Sequence, residues 1–328
     1  MQAIVYRNYG SPDVLRCEET EKPDAGDNKV LIRVRAASVN PLDWHFMRGT
    51  PYFVRLMTGL RKPKITHLGV DVAGQVEAVG RNLTQFKSGD EVFGSCRGAF
   101  AEYVCTSEAA LVTRPDNVTP EQAASAPAAA LTALQGLRDK GQIQPGQKVL
   151  INGAAGGVGT FAVQIAKSFG ADVTGVCSTR NVDMVRSIGA DRVIDYTQED
   201  FTRSRQHYDL IFDLVGNHPL LACRRVLNPK GVYIAAGAPG SRWMIGAVAR
   251  SIAALVLSRF VSQNLVGVLA RSNQEDLTIL HKLMKAGKVT PVIDRRYRLS
   301  EVPEAIRYLE EGHARGKVVI TLEHNNRT

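Results

Sequence analysis

The spacing of hydrophobic positions along the chain changes near residue 121. Before that point, short apolar runs are separated by glycine and proline, a pattern that is typical of β-strands joined by turns. The clearest runs are Ala3–Tyr6, Val30–Arg35, Val72–Val79 and Ala101–Val104. Residues 1–120 are therefore predicted to form a compact, mostly β domain.

After residue 121, strand-like and helix-like segments alternate. An alanine-rich stretch that begins at Pro120 is predicted to be helical. Further strands are predicted at Val149–Ile151, Val173–Val176, Arg192–Ile194, Tyr208–Phe212 and Gly231–Ala235, with helices at Val182–Ile188 and Leu220–Leu227. This alternation predicts a parallel, doubly wound sheet over residues 121–287.

The chain becomes β-like again from about residue 288. Gly316–Thr321 has the composition of a good closing strand, and its natural partner is the first domain. Residues 1–120 and 288–328 are therefore predicted to form one discontinuous domain, interrupted in sequence by residues 121–287.

A glycine-rich turn, Gly153–Gly159, lies between the strand at Val149–Ile151 and a helical segment that ends at Gly170. Phe161, Ile165 and Phe169 recur every fourth residue along that helix. Glycines let the backbone approach a pyrophosphate closely, and the helix N-terminus offers free N–H groups to its charge. The pattern predicts dinucleotide binding, although a tight turn in another α/β protein would also use glycines.

The tip of the next strand indicates which dinucleotide is bound. A site for NAD usually places Asp or Glu at this tip. Here the strand ends in Val176-Cys-Ser-Thr-Arg180, with no carboxylate. The Ser178 hydroxyl and the planar, permanently charged Arg180 suit a 2′-phosphate, so NADPH is the predicted cofactor. The alternative is that Arg180 is only a solvated charge at a helix start.

The composition is that of a globular protein, with 44% hydrophobic and 22% charged residues. The five cysteines are scattered without a CxxC pair, which predicts neither a disulfide scaffold nor a zinc knuckle and favours a reducing, cytoplasmic location. The N-terminus is typical of a strand rather than of a signal peptide. The net charge of +9 is dispersed, so it is expected to attract an anionic cofactor rather than a nucleic acid.

The order of the motifs resembles the medium-chain dehydrogenase/reductase superfamily, and most closely its zinc-independent quinone oxidoreductase-like branch. The motifs that carry the resemblance are Val39-Asn-Pro-Leu-Asp43, Leu68-Gly-Val-Asp-Val-Ala-Gly74, Ser88-Gly-Asp-Glu-Val-Phe-Gly94, Gly98-Ala-Phe-Ala-Glu-Tyr103, Ala129-Ala-Leu-Thr-Ala133, the glycine turn and His313-Ala-Arg-Gly-Lys-Val-Val-Ile320. The resemblance implies an α/β protein with a GroES-like, mostly β domain and a Rossmann domain, and an active site between them. It also implies reduction of quinones or α,β-unsaturated carbonyls with NADPH.

The resemblance implies roles for individual residues. Those predicted to bind the cofactor are Asn40 and Thr132 at the nicotinamide, Gly156, Gly157 and Val158 at the pyrophosphate, Ser178 and Arg180 at the 2′-phosphate, Tyr196 on the adenosine side, and Lys317 as a late contact.

The positions that hold zinc in the metal-dependent branch differ here. Asn40 stands at its first ligand cysteine, and Gly69-Val-Asp71 stands at its Gly-His-Glu motif, so that the ligand histidine is missing. His67, Cys96 and Cys105 are the nearby alternatives, and their spacing does not suit tetrahedral zinc. No metal is therefore predicted, and Asp71 is expected to serve the backbone or domain structure.

Without a metal, catalysis is expected to depend on orientation and on a few hydrogen-bond donors. Asn40 is the predicted catalytic residue, and His45 is a candidate donor of a proton or hydrogen bond. His45 could equally be a wall residue. The aromatic residues predicted to line the acceptor pocket are Trp44, Phe46, Tyr52 and Phe53, and ordinary loop packing is the alternative for them.

Residues 240–260 form an apolar segment that is too interrupted for a membrane span. It could bind a membrane interface, but packing over the pocket or the sheet is the preferred interpretation, so a membrane surface is not expected as a partner. Val261–Val268 is predicted to be the last strand. Its open apolar edge predicts a homodimer unless the preceding segment caps it.

The predicted function is NADPH-dependent reduction of a small quinone or enone. An alcohol or aldehyde dehydrogenase is a second enzymatic reading, which the missing zinc ligands disfavour. A third, non-enzymatic interpretation is a protein that binds NADPH without turnover, like the crystallin-type members of the superfamily.

Overall fold

The computed structural model describes residues 1–236 and 262–322, except for the side chains of Phe53 and Met57. The apolar segment at 240–260 lies outside the described residues. Contacts divide the chain into two compact units. The first comprises Met1–Ala128, Ser272–Gly287 and Pro291–Thr328, and the second Ala129–Arg271 and Lys288–Thr290.

The described residues contain strands and α-helices in the following order. The strands are β1 Gln2–Val5, β2 Arg16–Glu19, β3 Val30–Val39, β4 Asp71–Val79, β5 Glu91–Ser95, β6 Tyr103–Thr106, β7 Leu111–Thr113, β8 Lys148–Asn152, β9 Asp172–Cys177, β10 Arg192–Asp195, β11 Tyr208–Asp213, β12 Leu227–Ala235, β13 Asn264–Gly267, β14 Ile293–Arg298 and β15 Lys317–Thr321. The helices are α1 Pro41–Arg48, α2 Tyr52–Thr58, α3 Pro120–Ser125, α4 Pro127–Gln135, α5 Gly157–Ser168, α6 Val182–Ser187, α7 Leu220–Arg225, α8 Gln274–Lys285 and α9 Val302–Glu310.

The first unit is built on a seven-stranded sheet in the order β14-β15-β3-β4-β5-β7, with β6 also paired to β3. Strand β3 is buried along most of its length because its apolar residues face the core. The closing strand β15 pairs antiparallel with β3, which is the pairing expected from the sequence. A separate ribbon joins β1 and β2.

The second unit contains a six-stranded parallel sheet in the order β10-β9-β8-β11-β12-β13. This is the order of a doubly wound dinucleotide-binding sheet, in which the crevice lies where the strand order reverses, beside the first strand. Helix α5 follows β8 directly, and Gly170 beyond its end has a φ of +80°, a left-handed conformation that terminates the helix. The α/β fold predicted from the alternating pattern is confirmed.

Helix α8 belongs to the first unit, although the sequence grouped its residues with the second domain. The reason is a set of polar contacts with the end of the β domain. Gln274 donates to the carbonyl of Leu111, and His281 Nδ1 lies 2.7 Å from the carbonyl of Thr113. Hydrophobic spacing alone does not encode these contacts. Within the described ranges, no helix is both long and apolar enough to cross a bilayer.

Candidate active site

Three strands of the first unit bring polar side chains to one buried edge. Ser38 near the end of β3 is opposite Asp71 at the start of β4. Val39 is opposite Val318 in β15, so Lys317 at the start of β15 lies beside the end of β3. Asn40 follows β3 directly. Strand register thus assembles residues from positions 38 to 317 into one cluster.

The side-chain amide of Asn40 is held on both sides. Its Oδ1 accepts from Lys317 Nζ at 2.6 Å, and its Nδ2 donates to Asp71 Oδ2 at 2.9 Å and to the carbonyl of Ser38 at 3.2 Å. The opposite amide orientation would place Nδ2 against the ammonium, donor against donor. Because Asn40 is only 5% exposed, the cluster fixes this side chain in one orientation.

Asp71 is the centre of the cluster and also binds the backbone. Its Oδ2 accepts from Ser38 Oγ at 2.8 Å and lies 3.8 Å from Lys317 Nζ. Its Oδ1 accepts from the backbone N–H of Ala128 at 2.9 Å. This geometry agrees with the structural role that the sequence suggested for Asp71.

Asp43, in the first turn of α1, connects the cluster to the next loop. Its Oδ2 accepts from the backbone N–H of Asn40 at 2.8 Å, and its Oδ1 accepts from that of Gly69 at 2.9 Å. Burial raises the pKa of Asp43 to about 7, although these two N–H donors oppose the rise. Burial likewise raises the pKa of Asp71 and lowers that of Lys317.

The cluster shows which protein groups surround two of the predicted cofactor-binding residues, Asn40 and Lys317. Lys317 is 3% exposed and directs its ammonium toward Asn40 and Asp71, and its contact with the cofactor stays a prediction. Sequence reasoning missed Ser38 and Asp43. The available signal was Asp43 itself, an acidic residue three positions after a helix-start Asn, which is where a capping carboxylate is expected.

We expect Lys317→Met to lower the free energy of unfolding by about 3–5 kcal/mol, because it leaves buried carboxylates without their cation. Asp71→Asn alone should also destabilise the protein. The double variant should be less unstable than the sum of the two losses, because each single change strands the other's charge. Denaturant unfolding of the wild type and the three variants measures this coupling, and strictly additive losses would contradict the pairing.

His45 lies in α1, and one of its two ring nitrogens has a hydrogen-bond partner in the backbone. Its Nδ1 lies 2.8 Å from the carbonyl of Thr50, so Nδ1 carries the proton and Nε2 is an acceptor in the neutral ring. The ring stacks on Trp44 with centroids 3.7 Å apart. Burial lowers the pKa of His45. The neutral form is therefore favoured at pH 7, and it cannot donate from Nε2.

The predicted pocket aromatics have different environments. Trp44 and Phe46 are partly buried and pack against the core of the first unit. Tyr52 is 76% exposed, with the Arg55 guanidinium 5.0 Å from its ring centroid. The side chain of Phe53 lies outside the described residues. Trp44 and Phe46 thus have the packing contacts that the alternative interpretation required.

The glycine turn has the geometry of an anion cradle at the start of α5. Gly156 is the N-cap, and Gly156, Gly157 and Val158 are only half-buried. A Cβ added to Gly156 would meet only one atom within 4 Å, the Gly153 carbonyl oxygen at 3.5 Å. A Cβ on Gly159 would lie 2.0 Å from that same oxygen. Gly159 is thus required by the turn itself, whereas Gly156 leaves open space beside the helix N-terminus.

The tips of β9 and β10 bring together the residues predicted for the adenosine side. Arg180 is exposed, Ser178 is half-buried, and Tyr196 is 56% exposed. The Tyr196 N–H donates to the carbonyl of Cys177 at 3.0 Å, which joins the two strand ends. Thr132 is a half-buried residue of α4.

Asp195 is a residue of this edge that the sequence reading did not single out. It accepts from the Thr179 hydroxyl at 2.6 Å, and its other contacts are with Thr197 and Gln198. The hydroxyl of Thr179, followed by these donors, lowers the pKa of Asp195. An ionised carboxylate therefore lies beside the β9 tip and binds the Thr179 side chain, and the nearby Arg180 carries the opposite charge.

A second missed residue, Asp213, shapes the loop opposite the glycine turn. It is 1% exposed and accepts from Asn152 Nδ2 at 2.8 Å, from the Tyr233 hydroxyl at 2.5 Å and from the backbone N–H of Gly216 at 2.8 Å. The loop after β11 packs closely on the turn, since a Cβ on Gly153 would lie 2.8 Å from Val215 Cγ2. Asp213 thus holds the carboxyl ends of β8, β11 and β12 together.

The described part of the chain holds no group of three His, Cys, Asp or Glu side chains placed to bind a metal ion. The Cys96 thiol lies near Asp71 and Asp43, and burial raises its pKa. Cys105 donates its thiol to the carbonyl of Asp24. Zinc requires the thiolate form of cysteine, which the surroundings of Cys96 disfavour.

Two family descriptions match the chain. Residues 26–116 match the alcohol dehydrogenase GroES-like domain, and residues 188–320 match a domain described as zinc-binding dehydrogenase. The first match lies within the β unit, and the second spans the later strands of the parallel sheet and the closing strand β15.

Curated relatives align over almost the whole chain. A chloroplastic quinone oxidoreductase of Triphysaria versicolor is 34% identical, and the alignment covers 98% of each protein. A chloroplastic NADPH-dependent alkenal/one oxidoreductase of Arabidopsis thaliana is also 34% identical, over 98% of this chain and 79% of the relative. The solved quinone oxidoreductase of Coxiella burnetii is 33% identical, with a TM-score of 0.86 and coverage of 98% of this chain and 99% of that one.

Proposed function

Because the chain belongs to the medium-chain dehydrogenase/reductase superfamily, in its quinone oxidoreductase-like branch, we propose that it is an NADPH-dependent reductase of quinones or α,β-unsaturated carbonyls that needs no metal. The observation that carries the proposal is the open glycine cradle at Gly156, followed along the sheet by the Ser178–Arg180 tip. The names of the relatives support the same reaction class.

The residues present fit NADPH. The first N–H groups of α5 have no partner within the helix and lie where Gly156 leaves room for a diphosphate. Arg180 offers a cationic fork and Ser178 a hydroxyl for a phosphate on the ribose. When bound, NADPH supplies the hydride that reduces the acceptor.

In the proposed reaction the protein's main contribution is orientation. Asn40 presents a side chain whose direction is fixed by Lys317 and Asp71, so it contributes a rigid polar group with no titration near neutral pH. A preorganised group of this kind stabilises charge without reorganising during the reaction. We propose that Asn40 and Thr132 line the nicotinamide end and that Lys317 acts through Asn40.

The geometry of His45 favours water over this residue as the proton source. We expect His45→Phe to lower enone and quinone reduction by the same factor, at most about 10-fold, because the lost loop hydrogen bond contributes about 0.5–1.5 kcal/mol. If His45 were the acid, activity would need its protonated form. Since burial lowers the pKa of His45 below its usual value, wild-type enone reduction would then decline as the pH rises through this lowered pKa.

The test is a pH–rate profile for an enone and a quinone with the wild type and His45→Phe. His45→Gln is the matched control, since its amide can still donate to the Thr50 carbonyl. If His45→Phe slowed enone reduction more than quinone reduction, and also removed the decline of the enone rate with rising pH, His45 would be the proton donor.

The proposed function is tested by NADPH oxidation against quinones, enones, ketones and aldehydes, with metal analysis of the same sample. Turnover of quinones or enones that survives chelation is the expected result. Turnover restricted to alcohols or aldehydes, or restored only by zinc, would identify an alcohol dehydrogenase. Tight NADPH binding with no turnover of any acceptor would identify the non-catalytic alternative.

We also propose an oligomeric state and a cellular location. Among the described residues, β13 is the last strand on one side of the parallel sheet, and this position supports the proposed homodimer, which light scattering at micromolar concentration tests. The dispersed cysteines favour a reducing compartment. The names of the relatives include chloroplastic and mitochondrial proteins, so the cytoplasmic location stays a prediction.

A further inference from the structure

Helix α2 presents apolar side chains to solvent on its outer face. Its inner face is formed by Val54 and Thr58, which are 8% and 1% exposed. Tyr52 and Leu56 are also four residues apart and therefore share a face, and they are 76% and 73% exposed. Leu60, just beyond the helix, is 67% exposed. A surface helix normally turns polar residues outward, so the exposed Tyr52 and Leu56 depart from the usual pattern.

The helix is firmly attached to the first unit. The Tyr9 hydroxyl lies 2.8 Å from Thr58 Oγ1 and donates to the carbonyl of Gly59 at 2.6 Å. Arg55 Nε donates to the carbonyl of Gly49 at 2.9 Å, and its guanidinium lies over the Tyr9 ring. The exposed leucines are thus displayed on an anchored support rather than on a loose loop.

The segment around the helix contains several basic residues, of which Arg48 is paired with Glu310. Residues 44–70 contain Arg48, Arg55, Arg61, Lys62 and Lys64 and no Asp or Glu. Arg61, Lys62 and Lys64 follow Leu60 and are exposed. In the described part of the chain, no carboxylate forms an ion pair with any of these three cations. We call Tyr52, Leu56, Leu60, Arg61, Lys62 and Lys64 together the α2 patch.

We propose that the α2 patch binds the surface of an anionic lipid bilayer. Apolar side chains beside a cluster of cations are the pattern that inserts at the boundary of headgroups and acyl chains, where the leucines leave water and the cations meet anionic headgroups. The surface concerned lies in residues 52–64. These residues are a different part of the sequence from 240–260, for which the sequence had favoured packing over membrane contact.

The charge pattern favours an anionic bilayer over a second copy of the chain and over a nucleic acid. A second copy of the chain would bring the same cations face to face, because a twofold interface pairs a patch with itself. A nucleic acid would use the cations but leave Leu56 and Leu60 in water. An anionic bilayer satisfies both parts of the patch.

The test is co-sedimentation of the 328-residue chain with vesicles, comparing phosphatidylcholine alone with equal parts of phosphatidylcholine and phosphatidylglycerol. Binding is expected only to the anionic vesicles, and it should weaken in molar salt because screening shortens the range of the attraction. Combined Arg61→Gln, Lys62→Gln and Lys64→Gln should weaken binding about 100-fold. Combined Leu56→Ser and Leu60→Ser should weaken it about 10-fold.

Two control variants remove the same kinds of side chain, cations and an exposed leucine, from surfaces outside the α2 patch. Lys282→Gln, Lys285→Gln and Lys288→Gln remove three exposed cations, and Leu269→Ser removes a leucine that is 89% exposed. Both controls should bind vesicles as the wild type does. Absence of wild-type binding, equal binding to neutral vesicles, or equal losses in the controls would overturn the proposal. A change in the protein's own oligomeric mass in the leucine variant, without loss of vesicle binding, would also overturn it and assign the patch to self-association.

Discussion

Arg180→Ala should abolish the preference for NADPH over NADH. We expect kcat/KM with NADPH to fall about 10- to 100-fold, because a hydrogen bond to a charged group contributes about 1.5–3 kcal/mol. The value with NADH should stay unchanged, since NADH carries no 2′-phosphate. Steady-state kinetics with both cofactors and one quinone acceptor measures the effect.

Arg186→Ala is the matched control for this loss. Arg186 is also exposed, in the helix that follows the β9 tip, and its nearest carboxylate is Asp183 at 3.8 Å. Its removal lowers the local positive charge without touching the tip, so the NADPH preference should persist. If Arg180→Ala lowered kcat/KM with NADPH and with NADH by the same factor, Arg180 would stabilise the loop and would not bind the 2′-phosphate.

Two single-methyl substitutions in the glycine turn should have opposite consequences. Gly159→Ala should lower the free energy of unfolding by about 3 kcal/mol, because its Cβ would lie 2.0 Å from the Gly153 carbonyl oxygen and the backbone would have to move. Gly156→Ala should fold normally, since its Cβ meets only that oxygen at 3.5 Å. The same methyl would stand in the space proposed for the diphosphate and should weaken NADPH binding at least about 10-fold.

Thermal unfolding of the apoprotein and NADPH titration of each variant separate the two effects. Each variant is the control for the other, because both add one methyl group within the same turn. Normal NADPH affinity in Gly156→Ala would place the diphosphate elsewhere. Normal stability in Gly159→Ala would show that the turn relaxes more easily than its close backbone contact indicates.

The sequence determined the fold class through local patterns. Alternating strand and helix segments predicted the parallel sheet, and each predicted strand of residues 149–235 lies within or overlaps an observed one. The glycine turn was predictable because β8, the turn and α5 are consecutive in the chain, so their geometry depends on neighbouring residues. The same holds for the Ser178–Arg180 tip, which directly follows β9.

Only the tertiary structure decided which residues meet across long separations. The sequence placed Asn40 and Lys317 with the cofactor, but the register of β3, β4 and β15 brings the Lys317 ammonium to the Asn40 amide and to Asp71. No spacing rule encodes a contact across 277 positions. Likewise, a helical period groups Tyr52 with Leu56, but only packing shows that Val54 and Thr58 form the buried face. Periodicity identifies the faces of an element, whereas the rest of the fold determines which face is covered.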